Sequence, residues 1–239
     1  MDLSLSEKII FNGYELTGQV PEAHVIDITI GAIASEHVSQ SRATRAGSIF
    51  ISKRDALRSI TLQVELPLDK ENAAINYNLL RAWAESDQPA PLYLPSRTNG
   101  YINVILSSIS DLNIKTWYEP IALQFVAYDP YFYGVQQRES IGKRFKVAGD
   151  VAADFTIIRN GSTAIVDPVW RIDGMQSIGL TGSVGAGTLR VETKRSVVTL
   201  NGDSIMPQLN YSSRFTPLSP GYHTISGPDG TVSWIERWR

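Results

Sequence analysis

The chain has 239 residues, enough for one large domain or two ordinary ones, and its apolar and charged fractions are those of a globular protein. Its 22 basic and 24 acidic residues lack the basic excess that phosphate contacts require of most nucleic-acid binders. The absence of cysteine excludes disulfides, thiol catalysis and cysteine-ligated zinc. The sequence shows neither a secretory signal nor a run of roughly 18 apolar residues. We therefore expect folding in a reducing cytoplasm, without membrane insertion.

Tight-turn dipeptides punctuate the chain from its start. Asn12-Gly13 lies between two short apolar segments, and Asn201-Gly202 follows a run of β-branched residues at 197–200. Both dipeptides tolerate the positive φ angles of a tight hairpin turn. A third turn, Pro-Asp-Gly at 228–230, separates two strand-like segments. We predict a hairpin at each of the three positions.

Apolar and polar side chains alternate with a period of two along much of the chain, a pattern that predicts β-strands with one buried face. The clearest example is residues 59–66. The apolar positions in the predicted strands are Ile26, Ile28 and Ile30; Ile60, Leu62, Val64 and Leu66; Ile102, Val104 and Leu106; Ile121, Leu123 and Phe125; and Val232 and Trp234.

Residues 31–48 follow no clear period and contain Arg42, Arg45 and several serines. They predict a long loop or an extended hairpin arm that projects from the body. Ordering such an arm costs entropy that a monomer would not recover, whereas in an assembly it could lie on a neighbouring subunit. Arg42 and Arg45 are therefore candidate subunit-interface residues, and a solvated loop remains the alternative.

Residues 73–85 break the β pattern. Ile75, Leu79 and Trp83 recur every four residues, with Leu80 beside them, which predicts one apolar helical stripe. Acidic and asparagine side chains precede this segment, and two prolines follow it. We predict one helix here, with its stripe packed into the core.

A domain boundary is expected near Gly134, after an aromatic cluster. Residues 1–133 contain 15 acidic and 10 basic side chains, whereas residues 134–239 contain 9 acidic and 12 basic. The difference indicates two domains that face different surroundings, although ordinary scatter would also produce it. The second half is rich in turns between short strands, which favours a β-sandwich.

The sequence offers little for catalysis. The three histidines, His24, His37 and His223, have no partner at metal-ligand spacing, and we expect each at the surface or in a turn. Four carboxylates near turns could in principle catalyse glycoside hydrolysis. Hydrogen bonds from their side chains to the local backbone of a turn explain their positions better. The four are Asp129, Asp167, Asp173 and Asp203.

Tryptophans of the second half could stack on sugars if they were exposed. Trp170 and Trp234 lie in strand-like alternation, so core packing is favoured for both. For Trp238, close to the end of the chain, both a core and an exposed position remain possible. No catalytic residue, cofactor or metal is expected.

An aromatic segment in mid-chain carries a family resemblance. Residues 117–134 end in Asp129-Pro130-Tyr131-Phe132-Tyr133-Gly134. Upstream of it lie the predicted helix and the segments 92–95 and 101–104, and downstream lie the segments 218–225 and 232–238. All of them stand in the order that the family shows. Together they resemble the distal tail proteins of siphophages, in which such an aromatic strand marks the change from the N-terminal to the C-terminal domain.

The resemblance implies a mainly β protein. Residues 1–133 would be a ring-forming, tail-tube-like β-sandwich or roll with one helix and an arm, and residues 134–239 a galectin-like β-sandwich. Six copies would form a ring at the distal end of the virion tail, joining the tail tube to a fibre, lysin or hub protein and letting DNA through. The C-terminal domain would carry receptor-binding or other baseplate proteins. At this length there is no room for an inserted sugar-binding domain, so we expect no saccharide recognition by the chain itself.

Three other classes remain as alternatives. A different tail component, such as a tube or hub subunit, would use similar folds. A carbohydrate-binding module of a phage adsorption device would display exposed, coplanar aromatic rings on the second domain. A β-sandwich glycosidase would show two carboxylates facing each other across a cleft.

Overall fold

The computed structural model describes residues 9–21, 23–41, 48–66, 70–95, 100–112 and 120–239. The chain divides into two compact units, Met1–Phe132 and Tyr133–Arg239. The roles expected for two such domains stay predictions.

The N-terminal unit is built on a sheet whose neighbouring strands are all antiparallel, in the order β3-β6-β9-β8-β7-β1-β2. Its elements are β1 Ile10–Phe11, β2 Tyr14–Glu15, α1 Leu16–Gln19, β3 His24–Ile30, β4 Ser35–Ser41, β5 Ser48–Asp55, β6 Arg58–Glu65, α2 Lys70–Ala84, β7 Ala90–Tyr93, β8 Tyr101–Ile109 and β9 Ile121–Ala127.

The core of this unit follows the predicted alternation in β6 and β9. Ile60 pairs with Phe125 and Leu62 with Leu123, and all four side chains are fully buried. Burying one such side chain stabilises the fold by about 1.5–3 kcal/mol. The alternating pattern therefore identified the central strands correctly.

In β3 the predicted apolar face is only partly correct. Val25 pairs with Val64 and Asp27 with Gln63, so a β-bulge places Ile26 outside the regular register, where it is 46% exposed. A bulge inserts one residue and so exchanges the two faces of a strand. After the bulge, Ile30 pairs with buried Ile60 yet remains 36% exposed.

The helix is present, but its predicted stripe is wrong. In α2, Leu80 and Trp83 are buried, whereas Ile75 is 57% exposed and Leu79 is 41% exposed. A step of four residues turns a helix by about 400°, so Ile75 lies roughly 80° around the axis from Trp83. The core therefore takes the face of Leu80, Trp83 and Ala84 instead.

The C-terminal unit contains two larger sheets, β19-β18-β17-β12-β21-β10 and β11-β20-β14-β15, and a small pair, β13-β16. Its strands are β10 Phe132–Ser140, β11 Arg144–Val147, β12 Phe155–Gly161, β13 Ile165–Val166, β14 Val169–Ile172, β15 Gln176–Gly179, β16 Ser183–Val184, β17 Gly187–Glu192, β18 Val197–Leu200, β19 Asp203–Ser204, β20 Gly221–Ser226 and β21 Thr231–Trp238, with a 3₁₀ turn at Met206–Gln208.

Both larger sheets contribute to one core, which makes this unit a β-sandwich. Trp170 of β14 is fully buried, and its indole N–H donates to the Pro228 carbonyl at 3.2 Å. Trp234 of β21 is 5% exposed and lies 4.5 Å from the Phe145 ring, centroid to centroid. The predicted core positions of both tryptophans, and the mainly β fold class, are confirmed.

Two of the three predicted hairpins form. Asn12-Gly13 connects β1 to β2 and Asn201-Gly202 connects β18 to β19, each pair with positive φ angles typical of a tight turn. The third prediction, at 228–230, is wrong. Here β20 pairs with β11 and β14, while β21 lies in the other sheet, so the Pro-Asp-Gly segment crosses between sheets.

Candidate assembly surface

An arm formed by β4 and β5 is the first feature that could serve assembly. Ser35 pairs with Asp55 and Ser41 with Ser48, with a bulge between Val38 and Ser39. Among the described strands, these two pair only with each other. An isolated two-stranded hairpin is marginally stable in water, so a second surface would stabilise this one.

The arm displays apolar side chains to solvent. Phe50 is 61% exposed, and Ile51 and Val38 are exposed as well. The Phe50 ring makes an edge contact with His37, with centroids 6.0 Å apart, and Arg54 forms an exposed ion pair with Glu36 at 2.7 Å. Exposed ion pairs contribute little stability. Burying the apolar side chains against another surface would therefore stabilise the arm more than this ion pair does.

The second feature is strand β3, which among the described strands pairs only with β6. An edge strand has unpaired backbone groups that can pair with another chain. Ile26 and Ile30 add exposed apolar surface to this edge, and Leu57 beside β6 is also exposed.

The third feature lies on the outer side of α2. Ile75 and Leu79 are exposed there, and Tyr14 of β2 is exposed nearby. Tyr14, Leu79 and Trp83 contribute to the lining of a depression of about 200 Å³. The Trp83 indole N–H donates to the Tyr14 carbonyl at 2.9 Å, which fixes strand and helix against each other.

These three features share one property, exposed large apolar side chains on a unit that already has a complete core. Scattered apolar residues are normal at a protein surface, but clusters on an edge strand and an unsupported hairpin are typical of association surfaces. Sequence reasoning predicted a loop or an arm at residues 31–48, whereas the hairpin formed by β4 and β5 extends to Asp55. It missed Tyr14, Phe50 and Ile51, because exposure depends on which strands pair.

The predicted interface residues Arg42 and Arg45 lie outside the described residues. Their assignment therefore stays a prediction.

The expectation that His223 lies at the surface or in a turn is wrong. Its side chain is buried, not at the surface, and it contacts two acceptors. The Nδ1 atom lies 2.7 Å from Oδ2 of Asp173, and Nε2 lies 2.6 Å from the Ser219 carbonyl oxygen. Asp173 also accepts the backbone N–H of Thr224 at 2.8 Å. This cluster ties the turn after β14 to β20, which is a structural role.

Two further side chains have local structural explanations. Asp167 accepts the Gly182 N–H at 2.6 Å and has positive φ, as its predicted turn role requires. Burial raises the pKa of Tyr101, and the neighbouring Tyr93 raises it further.

Across the part of the chain that the structure describes, no group of three or more His, Asp or Glu side chains could hold a metal ion. Within the same residues, no helix is long and apolar enough to cross a membrane.

Comparison with known families finds one match, in the C-terminal unit. Residues 148–238 match the family model described as siphovirus-type tail component, C-terminal domain. The C-terminal unit is therefore similar to siphovirus-type tail components. The resemblance to siphophage distal tail proteins is confirmed by this match and by the fold. No curated protein matches the chain.

Solved structures extend the likeness to both units. The SPP1 Dit protein (gp 19.1), described as a paradigm of the hub adsorption apparatus in phages that infect Gram-positive bacteria, aligns with a TM-score of 0.77 and 16% identity. The alignment covers 97% of this chain and 99% of SPP1 Dit. A chain from the structure of the phage P2 baseplate in its activated conformation aligns with a TM-score of 0.52 and 11% identity. That alignment covers 96% of this chain and 97% of the baseplate chain. At these identities the structures establish the fold of this chain.

Proposed function

We propose that this tail component is a distal tail protein, six copies of which close into a ring between the tail tube and the baseplate. The observation that carries the proposal is the set of exposed apolar features on the N-terminal unit, combined with a fold shared with SPP1 Dit along nearly its whole length. The same features support a structural role and not an enzymatic one.

Ring closure requires a heterologous interface, in which one patch meets a different patch on the next subunit. The arm and the β3 edge are two such different patches on one unit. If the arm of one copy lies on a neighbour, Phe50 and Ile51 become buried, and the ordering entropy of the hairpin is offset.

The charge of the N-terminal unit suits a channel for DNA. Residues 1–133 carry five more acidic than basic side chains. A basic lining would bind the phosphates of passing DNA and slow its exit, whereas an acidic lining would not. Counting the lumen-facing charges in a structure of the ring tests this point, and a basic lining would contradict it.

The C-terminal β-sandwich would then lie at the periphery of the ring and carry other baseplate proteins, such as a receptor-binding protein. The tail tube would dock on one side of the ring and a fibre, lysin or hub protein on the other. The galectin-like character expected of this unit does not by itself imply sugar binding, because function depends on the site and not on the fold.

Immunogold electron microscopy of intact tails tests the proposed position. An antibody raised against the purified chain should label the end of the tail that is remote from the capsid. Labelling spaced along the tube would instead identify a tube subunit and would contradict the proposal.

A further inference from the structure

The sheet β11-β20-β14-β15 of the C-terminal unit presents one face with several basic side chains. In β11, Phe145 and Val147 point into the core, so Arg144 and Lys146 point outward. By the same alternation, Arg171 of β14 points outward. Strand β20 lies between them, with Tyr222 and Ser226 exposed and Thr224 partly exposed on the same side. We call these six residues the basic face.

The pairing register gives the basic face a regular spacing. Lys146 pairs with Tyr222, Arg144 with Thr224, and Arg171 with Ser226. Positions two residues apart on a strand are about 7 Å apart, and neighbouring strands are about 4.8 Å apart. Arg144 and Lys146 therefore lie along one side of β20 and Arg171 lies on its other side, each paired with a hydroxyl-bearing residue of β20.

Aromatic contacts hold part of this face in place. The Arg144 guanidinium carbon lies 4.3 Å from the centroid of the Tyr222 ring, and Lys146 Nζ lies 5.9 Å from it. Stacking on tyrosine restricts the guanidinium group while leaving its N–H donors available. Less side-chain entropy is then lost when an anion binds.

The carboxylates of this unit neutralise other cations. Throughout residues 133–239, no ion pair in the structure includes Arg144, Lys146 or Arg171. The pairs that form include Lys143–Glu139, Arg159–Asp229, Arg190–Glu192, Arg195–Glu192, His223–Asp173 and Arg237–Asp154. Three cations without an ion pair therefore share the basic face.

We propose that the basic face binds a protein partner that presents a row of carboxylates, and that it is a docking site for a further component of the tail tip. The inference rests on the proposed function and names the surface of the C-terminal unit that the partner would use. Carboxylates on alternate residues of a strand repeat at about 7 Å, which matches the spacing of Arg144 and Lys146 on β11, and Arg171 lies across β20 from them. Arginine and tyrosine are also enriched at protein interfaces.

A polyanion such as DNA fits this face less well. DNA carries one negative charge for each 1.7 Å or so of its axis, so three cations would neutralise only a small part of it. The whole chain also has a net charge of −2, which gives a polyanion no long-range attraction. Charge complementarity therefore favours a discrete acidic surface.

A peptide-binding measurement on the full chain tests the proposal. The probe is a fluorescent synthetic peptide of alternating Glu and Thr, and anisotropy is read at about 10 mM salt, where the screening length is about 30 Å. Substituting Arg144→Glu, Lys146→Glu and Arg171→Glu together should weaken binding by about tenfold or more, because three charge contacts are reversed. The corresponding Gln substitutions should weaken binding less while leaving the melting temperature unchanged.

A matched control carries the same change in charge on the other sheet of the sandwich. Arg138→Glu, Lys194→Glu and Arg195→Glu should change the affinity by about twofold at most. Equal loss in the two triple variants, or no binding of the acidic peptide by the unmodified chain, would overturn the proposal. Tighter binding of heparin or DNA, lost only in the basic-face variant, would assign the face to a polyanion and also overturn it. The assembled mass of each sample reports separately on the ring.

Discussion

At the scale of single residues, His223 shows how strongly a role depends on pairing between distant strands. In the sequence it is one of three scattered histidines, and nothing near it suggests burial. Pairing of β20 with β11 and β14 brings it against Asp173, fifty positions earlier in the chain. A buried polar group without its partner costs free energy, so the cluster stabilises the unit only when it is complete.

Replacing His223 with Ala should therefore lower the free energy of unfolding by about 1–3 kcal/mol, since Asp173 and the Ser219 carbonyl lose a partner. Thermal or urea unfolding of the purified chain measures this. His24→Ala, at an exposed position in β3, is the control and should change stability by less than about 0.5 kcal/mol. Equal effects of the two substitutions would show that the cluster contributes nothing.

At the scale of elements, helix α2 was predicted in the right place with the wrong buried face. Periodicity of four identified a stripe, but a helix repeats every 3.6 residues, and the sheet beneath it selects the face that is buried. Strand β3 shows the same limit, because a single bulge exchanges its faces and alternation alone gives no sign of it. Turn dipeptides located hairpins well where sequential strands pair, and failed at 228–230, where the chain changes sheets.

A pair of neighbouring leucines tests the observed orientation of α2. Leu80→Ala should destabilise the N-terminal unit by about 2–5 kcal/mol, because Leu80 is fully buried. Leu79→Ala, at an exposed position, should cost much less. Unfolding measurements on both variants decide the matter, and a reversed order of the two costs would show that the stripe faces the core after all.

The arm offers a test of assembly. Phe50→Ser together with Ile51→Ser should raise the concentration needed for assembly by more than about tenfold, because two apolar side chains no longer become buried at the interface. Arg42→Glu with Arg45→Glu should weaken assembly in the same direction. The exposed Val135 of β10 gives a control, Val135→Ser, which should leave assembly unchanged. Light scattering across concentration distinguishes these variants, and an unchanged mass in the arm variants would exclude a role for the arm.

At the scale of the whole molecule, the family resemblance carried most of the functional prediction. Composition and motifs argued against several classes of protein but named no partner, because ring and docking contacts leave no short motif in the sequence. The central strands, the sandwich and the tail family could be recognised in advance. The exposed apolar features could not, because they depend on register, on edges and on how the sheets are covered.

Sugar binding separates the tail-ring account from the carbohydrate-module alternative. Trp170 and Trp234 are buried, so neither ring can stack on a saccharide. The isolated chain should therefore show no tight binding on a glycan array or by calorimetry. Saturable binding of a saccharide would show that the C-terminal unit recognises the host surface directly.

The absolute mass of the purified, unmodified chain tests ring formation most directly. Six copies of the 26.4 kDa chain would give a particle of about 158 kDa by light scattering, and electron micrographs should show sixfold rings with a central opening. A stable closed assembly with a different number of subunits, or a chain that stays monomeric even in the presence of tail tubes, would contradict the proposed hexameric ring.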